Sequence, residues 1–180
     1  MLNGNAKNLM NTLCRAIAAL LLVGSVCASG AAEPMDRAVQ QAQMLVDRMK
    51  AFDSDGMLAW TYTRFFERMK IDPERLRNAV TELNAKLKSV EAVYTRFELQ
   101  PNEKPFAGDE QLYVIIPYSQ IMEAKGRRLL QEAFFIGVSE DQGQNWKFVD
   151  GISATQDNIR MVIPSYSGAP LPPRRQKSLE

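Results

Sequence analysis

The chain has 180 residues, of which 46% are hydrophobic and 24% charged, values typical of a globular protein with one domain and short appendages. Its 22 basic and 21 acidic residues are nearly balanced, which argues against a nucleic-acid-binding surface. The chain has no histidine, and both cysteines, Cys14 and Cys27, lie near its N-terminus. We therefore expect no metal site, no other cofactor, no imidazole base and no thiol nucleophile in the folded part.

Residues 1–32 have the pattern of a secretory signal peptide. Lys7 and Arg15 provide the positive charge that precedes or enters the apolar stretch of such segments. The apolar run from Ala16 to Val23 is too short to span a bilayer. The pattern predicts export to the periplasm or the medium, with membrane contact only through this segment.

The end of the signal segment leaves three alternatives open. Small residues favour cleavage after Ala28 or after Ala32. An uncleaved anchor is the second alternative. The third is a lipoprotein acylated at Cys27, which fits poorly because the residues before this cysteine depart from the usual lipobox.

Three helices are predicted after the signal segment. From Pro34 to Phe52, apolar residues recur every three or four positions, which indicates an amphipathic helix. Residues 53–56 end this helix and cap the next, which spans Met57 to Met69 and is the most aromatic part of the chain. The third helix begins with Asp72 as its N-cap and runs to about Val90.

Four antiparallel strands follow in sequence. Residues 92–99 alternate polar and apolar side chains, and a polar loop covers residues 101–108. Residues 111–151 contain two long strands and a shorter one, with Lys125-Gly126 as the first turn. Helices followed by a strand meander predict an α+β domain over residues 33–163. We expect three helices on one face of a curved four-stranded sheet, whose concave side forms a pocket.

The second turn of the meander carries the most specific motif in the chain. Ser139, Asp141, Gly143 and Trp146 stand in the order Ser-x-Asp-x-Gly-x-x-Trp, which resembles an Asp-box. A short carboxylate accepts hydrogen bonds from backbone amides of its own turn, and glycine supplies a positive φ. We interpret the motif as a structural hairpin, with glycan binding as the alternative. A single box in a chain of this length does not make a propeller.

The C-terminal part is predicted to hold one more helix and a tail. Residues 155–162 carry the spacing of a short helix. Residues 164–180 form a proline-rich tail that is expected to lie along the domain, and the stretch from Ile163 to Pro173 is expected to hold no regular structure. Pro170, Pro173 and Arg175 also have the spacing of a PxxPxR ligand for SH3 domains, which is the alternative interpretation of the tail.

The order of helices and strands resembles the NTF2-like (cystatin-like) fold. Over residues 35–173 the chain is also similar to a group of uncharacterised bacterial envelope proteins with a helical front and one Asp-box hairpin. That group has no established activity, so the resemblance implies a fold and a compartment but no reaction. Thr63 departs from the group, which tends to have proline there. The similarity lies in Trp60-Thr61-Tyr62, Tyr113–Pro117, Val138–Gly143, Trp146–Gly151 and Leu171-Pro172-Pro173.

The first predicted function is that of a non-catalytic binding protein. It would take a small apolar ligand or a protein partner in the concave face of the sheet. Trp60, Tyr62, Tyr113 and Tyr118 are the predicted pocket residues, because each combines a large apolar body with a polar tip. Burial in an ordinary core is the alternative for all four. Formation of a homodimer through the outer sheet face also stays open.

The second predicted function is a pocket enzyme of isomerase or hydrolase type, using a buried carboxylate. Glu132 is the candidate, since it shares a strand face with Leu130, Phe134 and Ile136. Apolar surroundings would raise its pKa into a catalytically useful range. The alternative is that Glu132 lies at the open end of the strand, or pairs with an arginine such as Arg96.

Overall fold

A computed structural model describes residues 33–101, 103–153, 155–166 and 171–179 of the chain. These residues fall within one compact unit that spans residues 32–180. The predicted signal segment, with Cys27 and both cleavage positions, lies outside the described residues, and so does Pro170 of the tail. None of the described helices is long and apolar enough to cross a membrane.

Both predicted helix caps are confirmed. The Asp53 side chain accepts a hydrogen bond from the backbone N–H of Gly56 at 3.0 Å. Asp72 Oδ1 accepts from the N–H groups of Glu74, at 2.8 Å, and Arg75, at 3.2 Å. Each carboxylate satisfies donors that a helix start leaves free. The helices are α1 (Pro34–Lys50), α2 (Ser54–Ala59), α3 (Thr63–Arg68), α4 (Pro73–Ser89) and α5 (Gln156–Val162).

The predicted second helix, Met57 to Met69, is wrong as a single element. Its middle is bonded to a distant strand residue, Phe148, on both sides. The Phe148 N–H donates to the Trp60 carbonyl at 2.8 Å, and the Tyr62 N–H donates to the Phe148 carbonyl at 2.9 Å. These bonds use backbone groups that a continuous helix would need, so the chain forms α2 and α3 separately. Four helices therefore precede the sheet, where three were expected.

The sheet is open, curved and antiparallel, which confirms the α+β class. It has six strands where four were expected. A long hairpin of β3 and β4 forms its centre; β2 and β5 flank the half nearer the second turn, and β1 and β6 flank the other half. The extra strands lie in the predicted loop and tail. The strands are β1 (Val93–Leu99), β2 (Phe106–Gly108), β3 (Gln111–Ala124), β4 (Arg127–Ser139), β5 (Lys147–Asp150) and β6 (Arg175–Leu179).

Helices cover both faces of the sheet, so the expectation of helices on one face is wrong. Successive residues of β3 and β4 point to opposite faces, and both sets are buried. The first face packs against α1, and the second against α3, α5 and the chain that follows α5. The first core contains Ala42, Val46, Phe97, Val114, Ile116, Tyr118, Phe135, Trp146 and Phe148. The second contains Tyr62, Phe65, Tyr113, Ile115, Phe134, Ile136, Val149, Ile159, Val162 and Ile163.

Candidate functional site

The Asp-box hairpin is held together by its own side chains. Asp141 Oδ1 accepts hydrogen bonds from the Ser139 hydroxyl at 2.8 Å and from the backbone N–H groups of Gln144 and Asn145, at 3.1 and 2.8 Å. The Asn145 side chain donates to Asp141 Oδ2 at 2.7 Å. The backbone N–H of Asn145 contributes most to lowering the pKa of Asp141, because it stabilises the charged form. The carboxylate is thus engaged within its own turn.

The same hairpin receives the N-terminal half of α1. Gly143 has a φ of +86°, and a Cβ there would lie 2.6 Å from Cβ of Pro34. Gln41 Nε2 donates to the Gln144 carbonyl at 3.0 Å, and the Trp146 N–H donates to Gln41 Oε1 at 2.7 Å. The Trp146 ring, which is fully buried, donates from Nε1 to the Gly143 carbonyl at 3.2 Å. These contacts connect the turn to the helix and to the core.

The four predicted pocket residues do not share one cavity. Tyr113 and Tyr118 are five residues apart on β3, so their side chains point to opposite faces of the sheet. Tyr118 is buried in the core beneath α1, and Trp60 packs against that core. Tyr62 and Tyr113 are buried in the core of the other face. The sheet therefore separates the four residues into two pairs.

On the second face, Tyr62 and Tyr113 belong to one polar network. Glu140 Oε1 accepts from Arg64 Nη1 at 2.8 Å, from Gln111 Nε2 at 3.2 Å and from the Tyr62 hydroxyl at 3.5 Å. The Tyr113 hydroxyl donates to Gln111 Oε1 at 2.9 Å. Burial, with a further contribution from the charge of Asp109, raises the pKa of Tyr113 to about 12. Both tyrosines thus have polar partners within the protein.

On the first face, Tyr118 is bonded to a carboxyl group. Its hydroxyl donates to Asp150 Oδ1 at 3.0 Å, and the same oxygen accepts from the Ile152 N–H at 3.0 Å. Asp150 as a whole residue is exposed, but crowding of its carboxyl group by protein atoms raises its pKa, against the opposing effect of these two hydrogen bonds. Burial likewise raises the pKa of Tyr118, and that of Tyr94, whose ring lies near the Asp150 charge. Two tyrosines and a carboxyl group thus form a cluster at one end of β5.

A buried glutamine pair lies beside this cluster. Gln120 and Gln131 face each other across β3 and β4, and Gln120 Nε2 donates to Gln131 Oε1 at 2.5 Å. Gln120 Oε1 is buried and is the one side-chain atom of this kind without a hydrogen-bond partner among the described residues. An unmet acceptor of this kind costs roughly 1–3 kcal/mol. The first face therefore carries a polar patch inside an otherwise apolar core.

An apolar cavity lies on the second face, between α3 and α5. Its volume is about 250 Å³, equal to roughly eight water molecules of the liquid. Phe65, Phe66 and Met69 form the α3 wall, and the sheet closes the floor. Asn158 and Asp150 are its polar lining residues, and the remaining lining side chains are Ile136, Val149, Ile159 and Val162. The arrangement suits a small ligand with little polar surface.

Glu132 lies away from these features. It is half-buried on the second face, directly opposite Ser119 on β3 and Arg175 on β6. None of the cavities between the helices, at the hairpin or beside the α1 N-terminus has Glu132 in its lining. Arg96, the arginine considered as its partner, pairs instead with Glu98 at 2.5 Å. Asp150, by contrast, is among the residues that line the cavity of the second face, but its carboxyl group is bonded to Tyr118 in the core of the first face.

Comparisons with models of protein families, with curated proteins and with solved structures give no match to this chain. Within the described residues, no cluster of three or more acidic, histidine or cysteine side chains is arranged to hold a metal ion.

Sequence reasoning missed several of these residues. Asp150 stands in the run Trp146–Gly151, one of the segments that carry the resemblance, but its partner Tyr118 is 32 positions away. Phe65 and Phe66 lie in the aromatic segment Met57 to Met69, whose sequence does not indicate that they face α5. Asn158 has no distinguishing pattern around it. The sequence shows Asp150 as an acidic residue at the end of a buried strand, but it does not show which residues surround that carboxyl group.

Proposed function

We propose that the chain is an exported, non-catalytic binding protein of NTF2-like type that takes a small apolar ligand. The cavity between α3 and α5 carries this proposal, because its lining is formed almost wholly by aliphatic and aromatic side chains. Export follows from the signal-peptide pattern of residues 1–32. The ligand must be small, since the volume of about 250 Å³ is below that of typical drug-binding pockets.

The binding test uses the mature domain purified from periplasm and small aromatic probes, benzene and indole. A ligand that binds only the folded state raises the free energy of unfolding, by about 2.7 kcal/mol at a concentration 100 times Kd. We expect a rise in Tm with at least one probe. Native mass spectrometry of the same material reports the cleavage position, the stoichiometry and any retained ligand.

Two variants locate the binding. Val162→Phe adds a ring to a buried wall of the cavity, and Met69→Glu places a charge at an exposed position of its lining. Both are expected to abolish the probe-induced rise in Tm. Met44→Glu, on an exposed position of α1, is the control and should keep it. A rise that persists in both cavity variants, or no rise with any probe, would contradict the proposal.

A pocket enzyme that uses a carboxyl group is the second candidate. One observation favours it: the Asp150 carboxyl group has a raised pKa and accepts a hydrogen bond from the Tyr118 hydroxyl in the first core, while Asp150 as a residue also lines the apolar cavity of the second face. Asp150 replaces Glu132 as the residue that would act as acid or base. Carbon-13 NMR titration of the aspartate carboxyl carbons, assigned with Asp150→Asn, tests it. A pKa at or below the ordinary aspartate value of about 3.9 would remove this candidate.

A further inference from the structure

The helix α4 has an apolar stripe that the protein buries only in part. Leu76, Val80, Leu83 and Leu87 recur at spacings of four, three and four residues. None of them belongs to either core, and Leu83 is 53% exposed. The one fully buried side chain of α4 is polar: Asn84 donates to Ser54 Oγ on α2 at 2.9 Å. An amphipathic helix of this length normally covers its stripe with another element.

The hydrogen bond from Asn84 to α2 determines which side of α4 faces outward. On a helix with about 3.6 residues per turn, Asn84 and Arg77 lie on one side of the stripe. That side contacts α2, through Ser54 and through the ion pair of Arg77 with Asp55. Leu83 lies on the opposite side of the stripe, beside the exposed residue Ala79. Asp72 caps α4 and accepts from backbone N–H groups of its first turn, so the start of the helix is stabilised by the chain itself.

A groove continues the stripe toward α3. It has a volume of about 580 Å³ and lies among α2, α3 and α4. Leu58, Phe66 and Ile71 are apolar residues of its lining, which also includes Leu76 of the stripe. Two acidic residues line it as well: Asp55, which pairs with Arg77, and Glu67. The stripe and the groove together have the form that accepts an amphipathic helix, whose apolar side chains recur every three or four residues.

The charges beside the stripe specify the chemistry of the partner. The helix α4 carries four basic residues and two acidic ones. Arg77 pairs with Asp55 and with Glu74, at 3.9 Å in the latter case. Within the described part of the chain, Arg75, Lys86 and Lys88 form no ion pair. Among the acidic residues of α4, Glu82 likewise forms no ion pair there. A second copy would bring another positively charged α4 against this surface.

We propose that the α4 stripe and its groove form a docking surface for an amphipathic helix with acidic flanks, supplied by another protein. Leucine-like anchors of that helix contact Leu76, Val80 and Leu83, and its acidic side chains lie near Arg75 and Lys86. This surface shares Phe66 with the cavity between α3 and α5, but its α4 residues do not line that cavity, so the proposal does not depend on the small-ligand function.

The test uses synthetic peptides of about four helical turns. The first has leucine at alternating spacings of three and four residues, with glutamate on both flanks. The second replaces every glutamate by lysine, and the third is a scrambled form of the first. Fluorescence anisotropy with the mature domain is expected to show binding of the first peptide. The second and third should bind at least about tenfold more weakly, a difference of about 1.4 kcal/mol.

Variants of α4 place the binding on the proposed surface. Leu83→Glu should weaken the acidic peptide at least about tenfold, since it removes an exposed apolar contact and adds like charge. The double variant Lys86→Glu and Arg75→Glu should weaken it about fivefold and reduce its dependence on salt. Met44→Glu and Lys50→Glu, at exposed positions of α1, are matched controls that should bind as the parent does. All these positions are exposed, so the variants are expected to fold.

Three results would overturn the proposal. One is equal binding of the acidic, basic and scrambled peptides, or no binding of any of them. Another is a concentration-dependent dimer in light scattering that Leu83→Glu abolishes, since the occupant would then be a second copy. The third is co-sedimentation with vesicles of anionic lipid that Leu83→Glu abolishes, which would assign the stripe to a membrane surface.

Discussion

The helices α1 and α4 are matched in length and in how they begin, yet they have different positions in the molecule. Each has 17 residues and starts with proline. The helix α1 buries five apolar residues against the sheet, whereas α4 buries one residue, and that residue is an asparagine. Two alanines, Ala38 and Ala42, are fully buried in α1, and their small size lets the helix lie close to the strands.

The difference teaches that an apolar stripe identifies a surface without identifying what covers it. The stripe of α1 is matched by a sheet face with Val114, Ile116 and Phe135 at its centre, and by the hairpin at its N-terminal end. Both faces of the sheet are already covered, the first by α1 and the second by α3 and α5, so α4 has no sheet surface to pack against. The helix α4 is therefore held mainly by α2 and α3 and retains apolar surface.

The largest expected effect comes from a charge beneath α1. Val46 is completely buried in the first core, and Val46→Asp places a carboxylate there without a partner. We expect a loss of about 4 kcal/mol in the free energy of unfolding, measured by urea denaturation. Leu83→Asp on α4 is the matched control and should cost far less. Equal losses in the two helices would show that α1 is not the helix that seals the core.

The second effect concerns the hairpin against which α1 rests. Asp141→Asn replaces an acceptor-only carboxylate that receives four hydrogen bonds in its own turn. The expected loss is about 2 kcal/mol at neutral pH, because several donors lose a charged acceptor. Urea denaturation measures this loss, and Asp157→Asn at an exposed position of α5 is the control.

The pH dependence of this variant has a definite sign. The pKa of Asp141 is lower in the folded state than in the unfolded one, where it is about 3.9. Its stabilising contribution is therefore complete above the unfolded pKa and is lost as the pH falls through the folded pKa. The difference in stability between the parent and Asp141→Asn should shrink between pH 5 and pH 3, about the unfolded pKa. A difference that grows on acidification would contradict the assigned hydrogen bonds.

The parts of the fold that could be predicted are those with local causes. Asp53 and Asp72 cap the helices that directly follow them, and Ser139 and Asp141 bond within one turn, so a short window of sequence contains each cause. The break at Trp60–Tyr62 has a distant cause, since Phe148 lies far along the chain. A window that contains only the aromatic run therefore predicts one helix.

Two further differences from the sequence prediction concern the strands β1 and β6. An irregularity of register between Tyr94 and Arg96 turns Tyr94 and Phe97 toward α1, and it interrupts the alternation on which the prediction for this strand relied. The strand β6 has the sequence Arg-Gln-Lys-Ser-Leu, which carries little strand signal. It pairs because the long β4 extends beyond β5 and offers a free edge at Arg128–Glu132.

The candidate site shows the same limit more strongly. Counting along β3 predicts that Tyr113 and Tyr118 face opposite ways, which is incompatible with a single concave pocket that contains both. The pairing of Tyr118 with Asp150, and the approach of α3 to α5, join residues that are remote in sequence. The sequence shows which residues have suitable chemistry, but it does not show which residues surround them in the folded protein.

A smaller effect is expected where α1 touches the hairpin through a side chain. Gln41→Ala removes the hydrogen bond to the Gln144 carbonyl and leaves the Trp146 N–H without its acceptor. We expect a loss of about 1.5 kcal/mol in the free energy of unfolding. Gln40→Ala, at the neighbouring exposed position, is the matched control and should be nearly neutral. Similar values for the two glutamines would mean that the hairpin contact does not contribute to holding α1.

The smallest effect is expected on α4 itself. Leu83→Glu changes a side chain that is 53% exposed and belongs to neither core. Glutamate has a helix propensity close to that of leucine, and Lys86 lies three residues further on the same helix. The change in the free energy of unfolding should therefore stay within about 0.5 kcal/mol, as for other surface substitutions. The measurement is urea denaturation at a protein concentration low enough to prevent association. A loss as large as that of a core substitution would mean that the α4 stripe is already covered within the monomer, and α4 would then differ from α1 only in the identity of its partner.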